Sequence, residues 1–287
     1  MPSSLAIPSQ LSSCKEAIDR RLLSMVHSLE SPPLLQEALD ALLRGGRRMR
    51  PLLMLATTEG LGTSWSSALE TACALECLHL AACGFDAAFR GITITSEESV
   101  PIRSDLVALA SNALTALAYH TLSQQDHLSP HCRLNLIHLM TQLSGGQHFI
   151  RGQLAELQGL SQDASPERLW EFHRLRTGSF MRCALESAGL IAQTTQVTYK
   201  RLGRIGEELG IAYQLIGDIL ECQHSPAKKN HRKHGISAVD VLGVALARSQ
   251  ALQILEHAQK QIRAELRYPA ALQQLAEKLV HRLLDPL

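Results

Sequence analysis

The chain has 287 residues, of which 45% are hydrophobic and 4% aromatic, and its apolar content is mostly leucine and alanine. Such a composition is typical of packed helices. The 28 lysines and arginines and 27 aspartates and glutamates leave a formal net charge of +1. We therefore expect no nucleic-acid partner, because nucleic-acid-binding proteins carry a clear basic excess or stripe.

The predicted elements are helices along nearly the whole chain. Residues 1–13 are rich in serine and proline, and we expect a flexible segment there. From residue 13 apolar side chains recur at steps of three and four, the spacing of one helical face. After this first helix, helices are predicted over 34–43, 52–60, 66–82, 105–123, 130–144, 147–157, 166–174, 179–192, 197–220, 238–267 and 270–284.

The breaks between these helices are short, apart from two polar segments at 89–104 and 223–236. No stretch alternates polar and apolar residues with enrichment in β-branched side chains, so no strand is predicted. No linker and no repeat of 20–50 residues interrupts the pattern. The sequence therefore predicts an all-α protein with a single domain over 14–287, built as one bundle of about ten helices.

The cysteine count and the apolar runs bear on the cellular compartment of the protein and on whether it spans a membrane. Seven cysteines are an odd number, and most lie in apolar helical stretches, which is typical of reduced, buried thiols. No apolar run approaches the roughly 20 residues of a membrane span, and the N-terminus lacks the basic start of a secretory signal. We expect a cytoplasmic protein with no membrane span.

A basic cluster follows the second predicted helix, at Leu-Arg-Gly-Gly-Arg-Arg-Met-Arg-Pro, residues 43–51. Arginine offers planar, bidentate donors, and glycine lets backbone N–H groups approach a ligand, so the cluster suits a diphosphate. A solvated basic loop is the alternative for this fragment alone.

Further landmarks follow this cluster in a consistent order. Together they resemble the trans-isoprenyl diphosphate synthase family, from about residue 40 to about residue 245. The matching segments are residues 43–51 for Gly-Gly-Lys-Arg-x-Arg-Pro, 76–79 for Glu-x-x-His, 111–114 for Gly-Asp-Ala-Leu, 152–157 for Gly-Gln-x-x-Asp-Leu, 176–178 for Lys-Thr-Gly, and 210–215 for the approach to the second aspartate-rich motif.

The resemblance implies an isoprenoid-synthase-type bundle of ten or more helices around a central cavity. Members of this family ionise an allylic diphosphate and add the carbocation to isopentenyl diphosphate. Three Mg²⁺ ions, held by two aspartate-rich motifs, neutralise the leaving diphosphate. Carried over residue by residue, the diphosphate-binding side of the site comprises Gly46, Arg47, Arg50, His79, Arg176, Thr177 and Gln214.

The first aspartate-rich motif departs from the family pattern. Its leading aspartate is Asp86, but the second position is Ala87 and the closing position is Ile92. The Arg-Arg pair expected shortly afterwards falls opposite Glu97 and Glu98, which reverses the charge where a diphosphate should dock. Against an anion, this change of sign is repulsive.

The second motif is also incomplete. Gly217 occupies its leading ligand position, while Asp218 and Glu221 remain, and the basic segment after it, residues 226–235, is scrambled. Asp86, Asp218 and Glu221 could still hold one Mg²⁺. Alternatively they are remnants paired with Arg90 or with the basic run 228–233.

The uneven losses lead to three functional hypotheses. The first is a catalytically impaired member that acts as a non-catalytic, regulatory subunit, because the carboxylates expected at positions 92 and 217 are absent. Cys73 and Cys77 also resemble the Cys-x-x-x-Cys of small subunits of heteromeric geranyl diphosphate synthases, which lack the aspartate-rich motifs. Buried core thiols are the alternative for this pair. The second is an active prenyltransferase or cyclase with a reduced metal site, and the third is an isoprenoid-diphosphate-binding protein without turnover. We expect isoprenyl diphosphates as ligands and either a homodimer or a heterodimer with a catalytic synthase.

Overall fold

The computed structural model describes residues 6–157, 165–224 and 237–284. Within these ranges the chain is almost entirely helical, which confirms the all-α prediction. The helices are α1 (Ala6–His27), α2 (Pro33–Leu43), α3 (Met49–Gly60), α4 (Leu69–Arg90), α5 (Ser104–Ser123), α6 (Pro130–Ser144), α7 (Phe149–Leu157), α8 (Pro166–His173), α9 (Ser179–Ile191), α10 (Gln196–His224), α11 (Ala238–Leu242), α12 (Val244–Glu265) and α13 (Ala270–Leu284).

Two shorter helical segments and one hairpin complete the described elements. A 3-10 turn spans Trp65–Ala68, and a π-helical segment spans Arg174–Gly178. Strands β1 (Ile94–Thr95) and β2 (Pro101–Ile102) pair antiparallel inside the polar segment 89–104, where no strand was predicted. Strands of two residues are too short to show a period of two in the sequence.

Several helix boundaries differ from the prediction, and three of the differences are the most informative. α1 begins at Ala6 rather than residue 13, so the described part of the expected flexible segment is helical. α4 continues to Arg90 and ends at Gly91, whose φ of 64° is the left-handed conformation of a helix C-cap. The helix predicted over 238–267 is interrupted at Gly243, where φ is 76°. The scrambled basic segment 226–235 lies outside the described residues.

The chain divides into two compact units, so the single domain predicted over 14–287 stays a prediction. The first unit comprises Met1–Ala56 and Ser64–Ile137, as far as these residues are described. In it α4 packs against α5, α1 and α2. Gly84 lies where a Cβ atom would collide with Ser111 Oγ and approach the Leu42 side chain to 3.1 Å, so α4 packs closely against its neighbours.

The second unit comprises Thr57–Thr63 and the described part of His138–Leu287. Its central element is α10, which packs against α9, α12, α13 and the π-helical segment. The buried apolar face of α10 includes Leu202, Ile205 and Leu209. This packing brings the π-helical segment next to the middle of α10, where several of the predicted site residues lie.

One helical segment is longer than the helix predicted over 66–82, and its apolar run is longer than expected from the sequence. By length and composition alone, Trp65–Arg90 could cross a membrane, and 61% of its most apolar window is buried inside the protein. Buried core helices of soluble proteins pass the same test, so this is weak evidence for a span.

Candidate functional site

The glycine-rich loop between α2 and α3 is shaped by three residues with positive φ. Gly45 and Gly46 have φ values of 73° and 85°, and Arg48 has a φ of 51°. Glycine reaches this left-handed region at no steric cost, whereas a residue with a Cβ atom is strained there. The loop therefore turns sharply, with the Arg47 side chain exposed and the Arg48 side chain buried.

Arg48 holds the base of this loop. Its Nε donates to Asp19 Oδ1 at 2.8 Å, its Nη1 donates to Glu76 Oε1 at 3.2 Å, and its Nη2 donates to the Leu43 carbonyl. Its side chain is only 5% exposed. This structural role has no signal in the sequence, because Arg47, Arg48 and Arg50 lie in one short basic run.

The Glu-x-x-His pattern of α4 faces the same loop. His79 Nε2 accepts a hydrogen bond from Arg50 Nη1 at 2.9 Å. One turn earlier, Glu76 is buried, and burial raises the pKa of its carboxyl while Arg50 and Arg48 lower it. The predicted diphosphate-binding residues Arg50 and His79 are therefore brought together. Glu76 binds Arg48 on the same side of α4.

The first aspartate-rich motif is occupied by an internal cation. Arg90 Nε donates to Asp86 Oδ1 at 2.7 Å across one turn of α4, and both side chains are largely buried. The neighbouring position, Ala87, is also buried, and Ile92 is half-buried just beyond the helix. Asp86 thus forms the pair with Arg90 that the sequence offered as the alternative to a metal ligand.

The segment that should carry a basic pair is the β1–β2 hairpin, and two glutamates lie in its loop. Glu97 and Glu98 are both exposed. The hairpin is attached to the glycine-rich loop by Arg44, whose Nη2 donates to the Thr95 carbonyl at 2.7 Å. The charge reversal predicted from the sequence therefore lies on an exposed loop that is tethered beside Gly45 and Gly46.

In the second unit, a chain of hydrogen bonds links the Arg-Thr-Gly turn to the second aspartate-rich motif. Thr177 Oγ1 donates to Gln214 Oε1 at 2.9 Å, and Gln214 Nε2 donates to Asp218 Oδ1 at 2.9 Å. The second carboxylate oxygen of Asp218 accepts the Ala238 backbone N–H at 2.7 Å. Asp218 is 8% exposed, so this carboxylate is used to hold the start of α11.

His173 is a further member of this cluster. Its side chain is fully buried, and its Nε2 lies 3.7 Å from Asp218 Oδ2. Burial lowers the pKa of His173 to about 3, so the imidazole is neutral at neutral pH. Its position at the end of α8, directly before the π-helical segment, gave no signal in the sequence.

Arg176 binds a carboxylate of the same unit. Its Nη1 lies 2.8 Å from Glu156 Oε2, and its guanidinium stacks over the Phe149 ring, 5.1 Å from the centroid. A Cβ atom on Gly152 would lie 3.0 Å from both Arg176 Cγ and Leu175 Cβ, so glycine is needed for this close approach. The Gly-Gln-x-x-Glu and Arg-Thr-Gly patterns are thus brought into contact.

Two further positions of the second motif, Gly217 and Glu221, are not covered by described side chains. Gly217 has no described atom within 4 Å of the place where a Cβ would stand, and Glu221 is exposed one turn later. Among the residues that the structure describes, no three His, Cys, Asp or Glu side chains converge in a way that could hold a metal ion.

Two of the four glycines of α10 support a matched pair of predictions about stability. A Cβ on Gly210 would lie 2.6 Å from Gly178 Cα and 2.9 Å from the Thr177 carbonyl oxygen. Because backbone cannot yield easily, Gly210→Ala should lower the free energy of unfolding by about 1–3 kcal/mol. Gly217→Ala, in open space on the same helix, should raise it by up to about 1 kcal/mol. Urea denaturation of both variants tests this, and equal effects would contradict the close approach.

Cys73 and Cys77 are core thiols in this structure. Both are fully buried, and burial raises the pKa of Cys77 to about 12 and that of Cys73 well above its ordinary value. The thiolate is the reactive form of cysteine, so neither side chain is poised to react. All seven cysteines are free thiols.

Comparison with known proteins gives one family. The polyprenyl synthetase family model matches residues 90–274. The farnesyl diphosphate synthase of Geobacillus stearothermophilus is 25% identical over 279 residues, which cover 90% of this chain and 92% of that protein. The farnesyl diphosphate synthase of Micrococcus luteus is 30% identical over 217 residues, which cover 72% of each chain.

Solved structures show the same fold. The FPP/GFPP synthase from Zymomonas mobilis matches with a TM-score of 0.81 at 23% identity, covering 96% of this chain and 100% of the other. The geranyltransferase from Helicobacter pylori, solved with magnesium and isoprenyl diphosphate, matches with a TM-score of 0.78 at 20% identity, covering 99% of both chains. Since the family model also covers more than half of the sequence, this protein belongs to the polyprenyl synthetase family.

Proposed function

We propose that this chain is a catalytically impaired member of its family and acts as a non-catalytic, regulatory subunit of an isoprenyl diphosphate synthase. The observation that carries the proposal is the bond between Arg90 and Asp86, 2.7 Å long, in the first aspartate-rich motif. A guanidinium on this carboxylate neutralises the negative charge that would attract Mg²⁺. With Ala87 beside it, the motif has no second carboxylate to replace the one that Arg90 binds.

The residues present do not fit the three-magnesium arrangement of the family. Mg²⁺ is bound by hard oxygen ligands in near-octahedral geometry, usually including carboxylates. Asp218 already accepts hydrogen bonds from Gln214 and from the Ala238 backbone, and Gly217 offers no ligand. The proposal therefore includes no step that depends on a metal cluster.

The isopentenyl side of the site keeps more of the family's residues than the metal side does. This difference supports the binding of an isoprenyl diphosphate without turnover. Arg50 and His79 are in contact, and the exposed Arg47 lies on the same glycine-rich loop. Arginine is well suited to bidentate contacts with phosphoryl oxygens. A chain that binds the diphosphate but does not promote its ionisation fits a regulatory subunit. The proposed setting is a cytosol-like compartment, consistent with seven free thiols.

An active prenyltransferase with a reduced metal site is the second candidate. Asp218 and Glu221 are three residues apart on α10 and therefore share a helix face. Relatives over most of the chain are named as farnesyl diphosphate synthases, which also favours this candidate. It requires Arg90 to release Asp86 when substrate binds.

A turnover assay separates the two candidates. Labelled isopentenyl diphosphate is offered with C5, C10, C15 and C20 allylic diphosphates and Mg²⁺, first to the chain alone and then to the chain mixed with a catalytic synthase of the same source. We expect no elongated product from the chain alone, and a changed rate or product length in the mixture.

The control is the same mixture made with the Arg50→Met variant, which removes the contact with His79. If the regulatory effect requires the diphosphate-binding loop, this variant should alter the partner's products less than the original chain does. Elongated product from the chain alone would reject the proposal and favour the reduced metal site.

A further inference from the structure

A cavity of about 400 Å³ lies in the second unit, between the start of α7, the start of the π-helical segment and the middle of α10. Its lining contains three guanidiniums, those of Arg151, Arg174 and Arg182, together with the imidazole of His148. Glu207 is the one carboxylate among its lining residues. None of these residues belongs to the site described above.

The charges in the cavity lie close enough to act on one another. Burial lowers the pKa of His148, and the positive charges of Arg182, Arg174 and Arg151 lower it further. Burial raises the pKa of the Glu207 carboxyl, against the opposing effects of Arg174 and Arg182. Three guanidiniums therefore surround a small, partly desolvated space whose lining contains one carboxyl group, while Glu171 and Glu186 outside the lining pair with Arg151 and Arg182.

These arginines keep donors that are available to a ligand. Arg151 donates from Nη2 to Glu171 at 2.8 Å, and Arg182 donates from Nε to Glu186 at 2.9 Å. Each guanidinium has five N–H donors, so one bond leaves several unused. No described residue forms a hydrogen bond or an ion pair with the Arg174 guanidinium.

The backbone adds to the positive potential. Gly146 and Gln147, which precede α7, also line the cavity, so the N-terminal end of this nine-residue helix is directed to it. Two of its first four N–H groups, those of Ile150 and Gly152, donate to the Gly145 and His148 carbonyls, and the helix dipole is positive at this end. Gly146 has no described atom within 4 Å of a Cβ position, which leaves room beside the helix end.

We infer that this cavity is a binding site for a free phosphoryl anion such as inorganic phosphate or diphosphate. Arginine guanidiniums match phosphoryl oxygens in geometry and charge, and the N–H donors that Arg174, Arg151 and Arg182 keep can bind several oxygens of one anion. The polar lining includes Leu175 as its one large apolar side chain, so the cavity fits the anion itself rather than an isoprenoid tail.

The site is connected to the second aspartate-rich motif through five consecutive residues. Arg174 begins the π-helical segment and lines the cavity, whereas Thr177 in the same segment bonds to Gln214. π-helical turns often occur at functional sites. An anion bound to Arg174 fixes the start of this segment and thereby stabilises the position of Thr177.

Calorimetric titration of inorganic phosphate into the full chain and four variants tests the inference. Arg174→Gln should weaken binding by about tenfold or more, since a charge-assisted hydrogen bond is lost. Glu207→Gln should tighten binding by about threefold or more, because it removes the one negative charge from the cavity. A gain of affinity cannot result from unfolding, so this variant keeps the test valid.

Two further variants serve as controls. Arg204→Gln removes one exposed positive charge from α10 outside the cavity, and it should change the affinity by less than about twofold, because exposed charges are screened by salt. Arg50→Gln, at the start of α3, removes a guanidinium of the diphosphate site proposed in the first unit, so the effects of Arg174→Gln and Glu207→Gln should persist in this background if they arise in the cavity. Equal weakening by Arg174→Gln and Arg204→Gln, or no tightening by Glu207→Gln, would overturn the inference.

Amide hydrogen exchange provides a second readout. Phosphate should slow exchange in residues 174–178 of the original chain but not of Arg174→Gln. In the Arg50→Gln background, farnesyl diphosphate and inorganic diphosphate should bind the cavity with similar affinity. A preference of about tenfold or more for the farnesyl compound would contradict a site for the free anion, since such a gain requires burial of the tail.

Discussion

Arg48→Met is expected to lower the free energy of unfolding by about 3–5 kcal/mol, the usual cost of removing one partner from a buried ion pair. Glu76 is buried, and without Arg48 its carboxylate loses a bond of 3.2 Å. Asp19 loses a bond of 2.8 Å but keeps its pairing with Lys15. Most of the loss therefore arises at Glu76.

Chemical denaturation followed by circular dichroism measures this effect, and Arg47→Met is the matched control. Arg47 is exposed on the same loop, so its replacement should change stability by no more than about 0.5 kcal/mol. The order should be reversed for ligand binding. Arg47→Met should weaken the affinity for the diphosphate more than Arg48→Met does, since we propose that Arg47 contacts the diphosphate. A loss below about 1 kcal/mol for Arg48→Met would show that the surrounding structure compensates for the missing charge.

The contrast between Arg47 and Arg48 shows where the sequence stops being informative. Both belong to one basic cluster, and the cluster itself was recognisable from its glycines and arginines. Which arginine turns inward depends on the φ values of Gly45, Gly46 and Arg48, and on a carboxylate 28 residues away at Glu76. Long-range partners of this kind leave no local pattern.

Local pairs were easier to predict than distant ones. The four-residue step from Asp86 to Arg90 places both side chains on one face of a helix, so their pairing could be proposed from the sequence alone. The bond from the Ala238 backbone to Asp218 could not, because it joins residues 20 positions apart. His173 could not be predicted either, because its contact with Asp218 depends on the packing of α8 against α10.

Element types were also predicted better than their ends. α6 and α13 match their predicted ranges because proline at the start of α6, or just before α13, and apolar spacing mark them clearly. The break at Gly243 was missed because apolar spacing continues on both sides of it. The hairpin of β1 and β2 was missed because four paired residues carry no recognisable period.

Under the proposal that this chain is catalytically impaired, adding carboxylates at the altered motif positions should convert it into a magnesium-dependent synthase. The variant combines Arg90→Ala, which frees Asp86, with Ala87→Asp, Ile92→Asp and Gly217→Asp. Gly217 has space for the new side chain, and a residue with a Cβ atom also favours the helix. Ala87 is buried, so its replacement should cost about 1–3 kcal/mol of stability unless Mg²⁺ binds.

The matched control carries asparagine instead of aspartate at positions 87, 92 and 217, with Arg90→Ala retained. Size and polarity are then nearly equal, and the two variants differ by three negative charges. We expect Mg²⁺-dependent elongation of the aspartate variant to exceed that of the asparagine variant by about 100-fold or more, because electrostatic stabilisation of the leaving group accounts for a large part of the rate enhancement of such reactions.

Equal activities, or no Mg²⁺ binding by the aspartate variant, would mean that the two motifs are placed wrongly or that the reversed charges at Glu97 and Glu98 still block the diphosphate. Adding Glu97→Arg and Glu98→Arg distinguishes these two causes, since only the second is relieved by restoring the basic pair.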